Sequence, residues 1–252
     1  MGWLKDWKRR RVLARHSIDH ALWKATVASL PFLQGLSAEE MQRLRDMALL
    51  FLAEKQFSAA HGFRLNDAMR LSIAVQACLP VLNLGLDRYD VWSEIVVHPG
   101  DFKVQIRETD DHGVVHEFDD ERAGESWPGG PVVLSWDAAA HAPDMNVVIH
   151  EFAHKLDMAN GEADGMPPLH SGMDRRVWTE AFRVAYEGLC DAVDRGKDTW
   201  LDPYAAEAPG EFFAVVSEAF FEAPNETRRR YPDVYEQLKQ YYRQDPARRL
   251  IA

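Results

Sequence analysis

Two histidines four residues apart, with a glutamate directly after the first, interrupt an otherwise apolar run: Val147-Val148-Ile149-His150-Glu151-Phe152-Ala153-His154. Val147, Val148, Ile149 and Phe152 ask for burial, while the three titratable groups among them ask for polar partners. A helix reconciles these demands, because residues four apart share one face about 6 Å from each other. His150 and His154 can then set imidazole nitrogens on one ion at roughly 2.0–2.1 Å, the distance that zinc prefers. Glu151, beside the first ligand, is placed to take a proton from a water on that ion. With 10 His and 18 Glu among 252 residues, chance supplies about 0.03 copies of such an H-E-x-x-H pattern. The segment His116-Glu117-Phe118-Asp119-Asp120 begins the same way and lacks the second histidine. Pro143-Asp144 reads as the start of the helix and Asn160-Gly161 as its stop.

Composition narrows the setting. A chain of this length makes one large domain or two lobes, with apolar content for a sizeable core. The net charge of -11 argues against nucleic acid as a direct partner, since phosphate binding needs a basic surface. Cys78 and Cys190 belong to no C-x-x-C, as expected of buried, reduced thiols in a cytoplasmic protein. No apolar run approaches the roughly 18 residues of a membrane span, so stable membrane insertion is not expected. The stretch from Met1 to Arg11 lacks the apolar centre of a signal peptide. Trp3, Trp7 and the arginines beside them fit a solvated helix end, with a membrane surface or an acidic partner as the alternative.

The first ninety residues read as helices. Ser37 and Glu40 form a capping box ahead of Met41, Leu44, Met47, Leu50 and Phe51, and a second helix is expected from Asn66 to Leu79, before Pro80. The middle reads as short strands at Glu94–His98, Lys103–Arg107, Val114–Phe118 and Pro131–Trp136, separated by turn dipeptides. The acidic stretch Asp110–Glu125 is expected to be a surface loop. The strand at Pro131–Trp136 is expected to offer an edge to an extended peptide. Helices resume at about Asp174–Val193, Gly210–Phe221 and Asn225–Arg243. The fold class is α+β.

A catalytic zinc usually has three protein ligands and one open position. The third ligand must come from another element, and Glu211 and Glu218 both qualify: seven apart, they share one helix face with Ala214 between them. One would bind the ion and the other would orient a ligand histidine or stand in solvent. Spacing leans to Glu211 without deciding. Asp157, three residues past His154, is either a further orienting group or an exposed acid at a helix end. Tyr204, seven residues before Glu211, is either loop packing or a hydrogen-bond donor to an oxyanion.

At these residues the chain resembles the Mlc titration factor A family of bacterial zinc metallopeptidases. The resemblance runs through Ala74–Leu86, Ser126–Trp136, His150–Gly165, Asp202-Pro203-Tyr204, Glu211–Phe221 and Gln244-Asp245-Pro246. The catalytic half also looks like the metalloprotease domain of anthrax lethal factor, which shares the Tyr-to-Glu spacing and a Glu-Phe-Phe-Ala run. The resemblance implies a zincin-like fold with a small mixed sheet, an N-terminal helical lobe at residues 1–90 and a catalytic domain at 91–252, in one compact unit. It implies zinc on His150, His154 and Glu211, Glu151 as general base and Tyr204 at the oxyanion, which breaks the tie with Glu218. It further suggests that His116 closes the fourth metal position at rest. The family is described as having aminopeptidase activity on peptide substrates and as binding a transcriptional repressor of the Mlc type. The Ser-Glu that follows Glu211 by six and seven residues departs from the thermolysin pattern, so orienting roles from that family do not transfer.

Overall fold

The computed structural model describes residues 2–109, 115–141 and 145–249, with the side chains of 104–121 and of residues 2 and 141 outside the description. Helices α1 (Gly2–Arg15), α2 (His20–Ala28), α3 (Ala38–Glu54) and α4 (Asp67–Cys78) come first. The expected capping box holds α3: Ser37 Oγ accepts from Glu40 N, and Glu40 returns the bond to Ser37 N at 2.9 Å. Asn66 caps α4 by accepting from Met69 N.

One strand interrupts this helical stretch. β1 (Gln56–Ala59) pairs in parallel with β2 (Glu94–His98), joining the first ninety residues to the sheet. β6 (Val132–Ser135) pairs with β2 in parallel, and β5 (Gly124–Ser126) pairs with β6 antiparallel, giving the order β1-β2-β6-β5. The strand expected to be an edge is therefore interior. Val132 and Leu134 are fully buried, as a strand with neighbours on both sides requires. Among the described residues the terminal strands of this sheet are β1 and β5. A separate antiparallel pair joins β3 (Phe102–Thr109) to β4 (Val115–Arg122), so much of the acidic stretch expected as a loop is strand.

α5 (Trp136–His141) leads towards α6 (Val147–Asp157), the helix of the histidine pair. Every residue of α6 is buried. Phe152 is held by three rings, with centroids 5.7 Å to Phe51, 5.2 Å to Tyr89 and 5.5 Å to Trp92, so α6 is fixed against α3 and the segment before β2. Its cap is Asn146, whose side chain accepts from Ile149 N at 2.9 Å, whereas Pro143-Asp144, expected to start it, lies outside the described residues. A 3-10 turn (Met158–Asn160) and Gly161 end it as expected.

α7 (Arg175–Asp194) and α8 (Pro209–Glu222) follow close to their expected bounds. The helix expected over Asn225–Arg243 is two, α9 (Pro224–Arg230) and α10 (Pro232–Tyr242). Pro232 cannot donate to the previous turn and forces Tyr231 out of the helical region, to φ -129° and ψ 61°. A short α11 (Pro246–Arg249) closes the described chain. Cys78 is buried, Cys190 is partly buried, and both are free. No helix among the described residues is long and apolar enough to cross a membrane.

Candidate metal centre

α6 faces α8, and the residues that meet there are polar. His150 and His154 are 6% and 8% exposed. Glu211, in the first turn of α8, brings Oε2 to 3.1 Å from His150 Nε2 and 3.3 Å from His154 Nε2, and the two Nε2 atoms are 3.1 Å apart. A tetrahedral zinc with bonds of roughly 2.0–2.1 Å separates its ligand atoms by about 3.3 Å. The observed triangle has that size. His150, His154 and Glu211 form the one group of such side chains, among the described residues, that could hold a metal ion.

The surrounding hydrogen bonds explain why a cation fits there. Glu218, two turns along α8, places Oε1 2.7 Å from His150 Nδ1, and its Oε2 accepts from Asn146 N at 2.6 Å. A carboxylate on Nδ1 keeps the proton on that nitrogen and turns the Nε2 lone pair towards Glu211. Asn146 in turn donates to Gln76 Oε1 at 3.0 Å and to Glu222 Oε1 at 2.8 Å, tying α4, α6 and α8 together. With neutral imidazoles, the triangle would hold facing lone pairs, which repel unless a positive charge lies between them. The titration behaviour carries the same signature. Burial alone would lower the His150 pKa, but its bonds to Glu211 and Glu218 outweigh that and raise it well above the usual value. Burial alone would raise Glu211, and its contacts with both histidines hold it well below the usual carboxylate range.

Glu151 lies beside the triangle on the side of β5. It is 4% exposed, its Oε2 has no hydrogen-bond partner, and burial raises its pKa. Such a carboxyl is more basic than one in water. β5 approaches it closely because residue 124 is glycine: a Cβ there would lie 2.4 Å from Glu151 Oε1 and 2.7 Å from Val147 Cγ2. Ser126 Oγ donates to Glu151 O at 3.0 Å, and Lys155 Nζ donates to Trp127 O and Gly130 O at 2.6 and 2.8 Å. Three bonds thus fasten β5 and its turn to α6. Tyr204, in the 3-10 turn Pro203–Ala206, has its ring centroid 6.3 Å from that of His150, and burial raises its pKa. A cavity of about 340 Å³ runs between these groups, with Gly124, His150, Glu151 and Tyr204 in its wall.

Of the residues singled out from the sequence, His150, Glu151, His154, Tyr204, Glu211 and Glu218 come together. His116 pairs with Glu108 in β4, and its side chain lies outside the described residues. Asp157 is neither an exposed acid nor a partner of a histidine. It is fully buried, and its Oδ2 accepts from Gly165 N at 2.7 Å. That bond holds the loop after α6 against the start of α8, where a Cβ on Gly210 would meet Ala163 O at 2.5 Å. Asn146, Gln76, Glu222, Gly124 and Lys155 were not found from the sequence. The signal for Gln76 was present, since it is the polar exception in the apolar run Ala74–Leu79.

The family model described as glucose-regulated metallo-peptidase M90 matches residues 4–243. Mlc titration factor A of Pectobacterium atrosepticum is 41% identical over 242 residues, covering 93% of this chain and 89% of the relative. Mlc titration factor A of Salmonella gallinarum is 39% identical, covering 90% and 88%. An uncharacterized protein of Synechocystis is 38% identical, covering 97% and 90%. A metallopeptidase family implies a divalent metal, and the triangle is a place for one. The chain belongs to the M90 family of glucose-regulated metallopeptidases, together with the Mlc titration factor A proteins.

Proposed function

We propose that this chain is a zinc-dependent peptidase of zincin-like architecture, in which His150, His154 and Glu211 hold the ion. The observation that carries this reading is the triangle of three lone-pair donors at tetrahedral spacing, with Glu151, whose Oε2 has no partner, beside it. Two imidazoles and one carboxylate are the donor set of a catalytic zinc, whereas structural sites are closed by four Cys or His. When bound, zinc supplies a Lewis acid that polarises the scissile carbonyl and makes water more acidic. Glu151 takes the proton of the attacking water and delivers it to the leaving amine. Tyr204 donates a hydrogen bond from its phenol to the developing oxyanion, keeping its proton. The peptide lies extended along β5, the terminal strand beside Glu151, using backbone hydrogen bonds. On the family resemblance, His116 would close the fourth metal position when substrate is absent.

Short peptides and free N-termini are the proposed substrates, on the family resemblance. The names of the Mlc titration factor A relatives support a second partner, a repressor of the Mlc type, met in the cytoplasm. In the alternative reading the chain only captures that repressor and any zinc is structural or vestigial. Glu151 favours hydrolysis, because a pure binder has no use for a buried carboxyl with an unpartnered Oε2 beside the triangle. We read residues 1–90 and 91–252 as lobes of one unit, supported by the β1–β2 pairing between them.

Glu151→Gln separates the readings. It keeps the size and burial of the side chain, so zinc content should stay stoichiometric while hydrolysis of peptide amides falls below detection. Unchanged turnover would exclude Glu151 as the base. A wild-type protein with bound zinc, no activity on any aminopeptidase or endopeptidase substrate, and a stoichiometric repressor complex would establish the binder.

A further inference from the structure

α1 is built like a helix meant for two surfaces. Lys5, Arg9 and Val12 face inward: Lys5 Nζ donates to Asp87 and Asp90, Arg9 donates to Glu54 and Asp87 at 2.7 Å each, and Val12 packs on the core. These bonds fix the helix as a rigid element. The face turned away carries Trp3, Leu4 and Trp7, which are 71%, 56% and 46% exposed. Residues three and four apart share a helix face, so the three side chains form one stripe. Lys8, Arg10, Arg11 and Arg15 flank it, all exposed, with the Arg11 guanidinium 5.2 Å from the Trp7 ring centroid.

Charge makes this face stand apart. The exposed charged residues of α1 are Lys8, Arg10, Arg11, Arg15 and Asp6, a net +3 within a chain of net charge -11, which leaves -14 on the remainder. Two exposed tryptophans in a basic helix on an acidic protein do nothing for folding, and their exposure opposes solubility. The pattern has a physical use at the headgroup layer of a bilayer. There Trp and Leu enter the acyl boundary while Lys and Arg meet lipid phosphates.

We propose that α1 is a peripheral membrane-docking site for anionic lipid, binding with its axis in the membrane plane and without insertion. A lipid surface suits it better than a second copy, which would have to supply a socket for both indoles. It also suits it better than nucleic acid, which does not require an apolar stripe. Lipids are laterally mobile, so anionic headgroups can gather beneath four cations, while the acids against α1, Asp87, Asp90 and Glu54, are paired with Lys5 and Arg9 on its inward face. The proposal does not depend on the peptidase reading.

The test is co-sedimentation of the full chain with vesicles of phosphatidylcholine alone or with roughly one-third phosphatidylglycerol. Binding should occur on the anionic vesicles only, with a blue shift of tryptophan emission. About 0.5 M salt should release it, since screening then acts within about 4 Å. Trp3→Ser with Trp7→Ser should abolish the binding. Arg10→Gln with Arg11→Gln should weaken it about thirty-fold, as about fivefold is lost per basic residue at such a surface. All four positions are exposed, so helix content by circular dichroism should stay unchanged. Absence of binding to the anionic vesicles overturns the proposal, and so does undiminished binding by the double Trp variant. Self-association of the wild type that is lost in that variant, without lipid binding, would instead assign the face to a second copy.

Discussion

Asp157→Asn should make this protein more stable at pH 8 relative to the wild type than at pH 5. Asp157 is fully buried, one of its oxygens accepts from Gly165 N, and the other has no partner. Burial pushes its pKa from 3.8 up to about 7. Below the unfolded value both states are protonated and the group is neutral in effect. As pH rises above that value the unfolded chain releases the proton while the folded chain keeps it, so stability falls. The fall ends near pH 7, where the folded state releases its proton too. Each pH unit in this window is worth about 1.4 kcal/mol. Between pH 5 and pH 8 the wild type should therefore lose roughly 3 kcal/mol that a neutral side chain does not lose.

Asparagine keeps an oxygen to accept from Gly165 N and adds an amide that must find a partner, a cost of about 1–3 kcal/mol at every pH. Absolute stability can thus move either way at pH 5, whereas the difference between variant and wild type must grow with pH. Urea unfolding of both proteins with chelator present, at several pH values from 5 to 8, measures this. The two proteins are compared at equal pH, so contributions from groups other than residue 157 cancel. Parallel stability curves would refute the reasoning and would mean that Asp157 is charged throughout, through a cation or water on its second oxygen.

Gly124→Ala should displace Glu151. The added Cβ must move from 2.4 Å to about 3.4 Å from Oε1, a shift of about 1 Å, for which a loss of about 100-fold in kcat is expected with the fold intact. Full activity and an unmoved Glu151 would show that the strand yields instead. For the metal, Glu211→Ala should lose most of it, while Glu218→Gln should keep it at ten- to hundred-fold lower affinity in a chelator competition. The reverse ranking would make Glu218 the third ligand.

What the sequence discloses follows from how far its physical causes reach. The capping box at Ser37 and Glu40, the stop at Gly161 and the histidine pair are all settled within one or two helical turns, and all are present. Two local signals were passed over. Pro232 breaks a helix whose apolar period continues past it, and Gln56–Ala59 is a strand too short to outweigh the helices on either side. The remaining differences have non-local causes. Val132–Ser135 alternates like any strand, and it is interior only because β2 lies on one side and Gly124–Ser126 folds back on the other. Asp157 sits at a helix end, where an acid is normally wet, and is buried because the chain returns eight residues later as Gly165. Glu211 and Glu218 are the clearest case. They share a helix face, so no spacing rule could assign their roles, yet the order of α6 and α8 across the interface puts one on Nε2 and the other on Nδ1 of the same ring. A metal centre of this kind is therefore written twice: as a pair four apart, readable along the chain, and as a pair of carboxylates whose division of labour exists only once two helices have met.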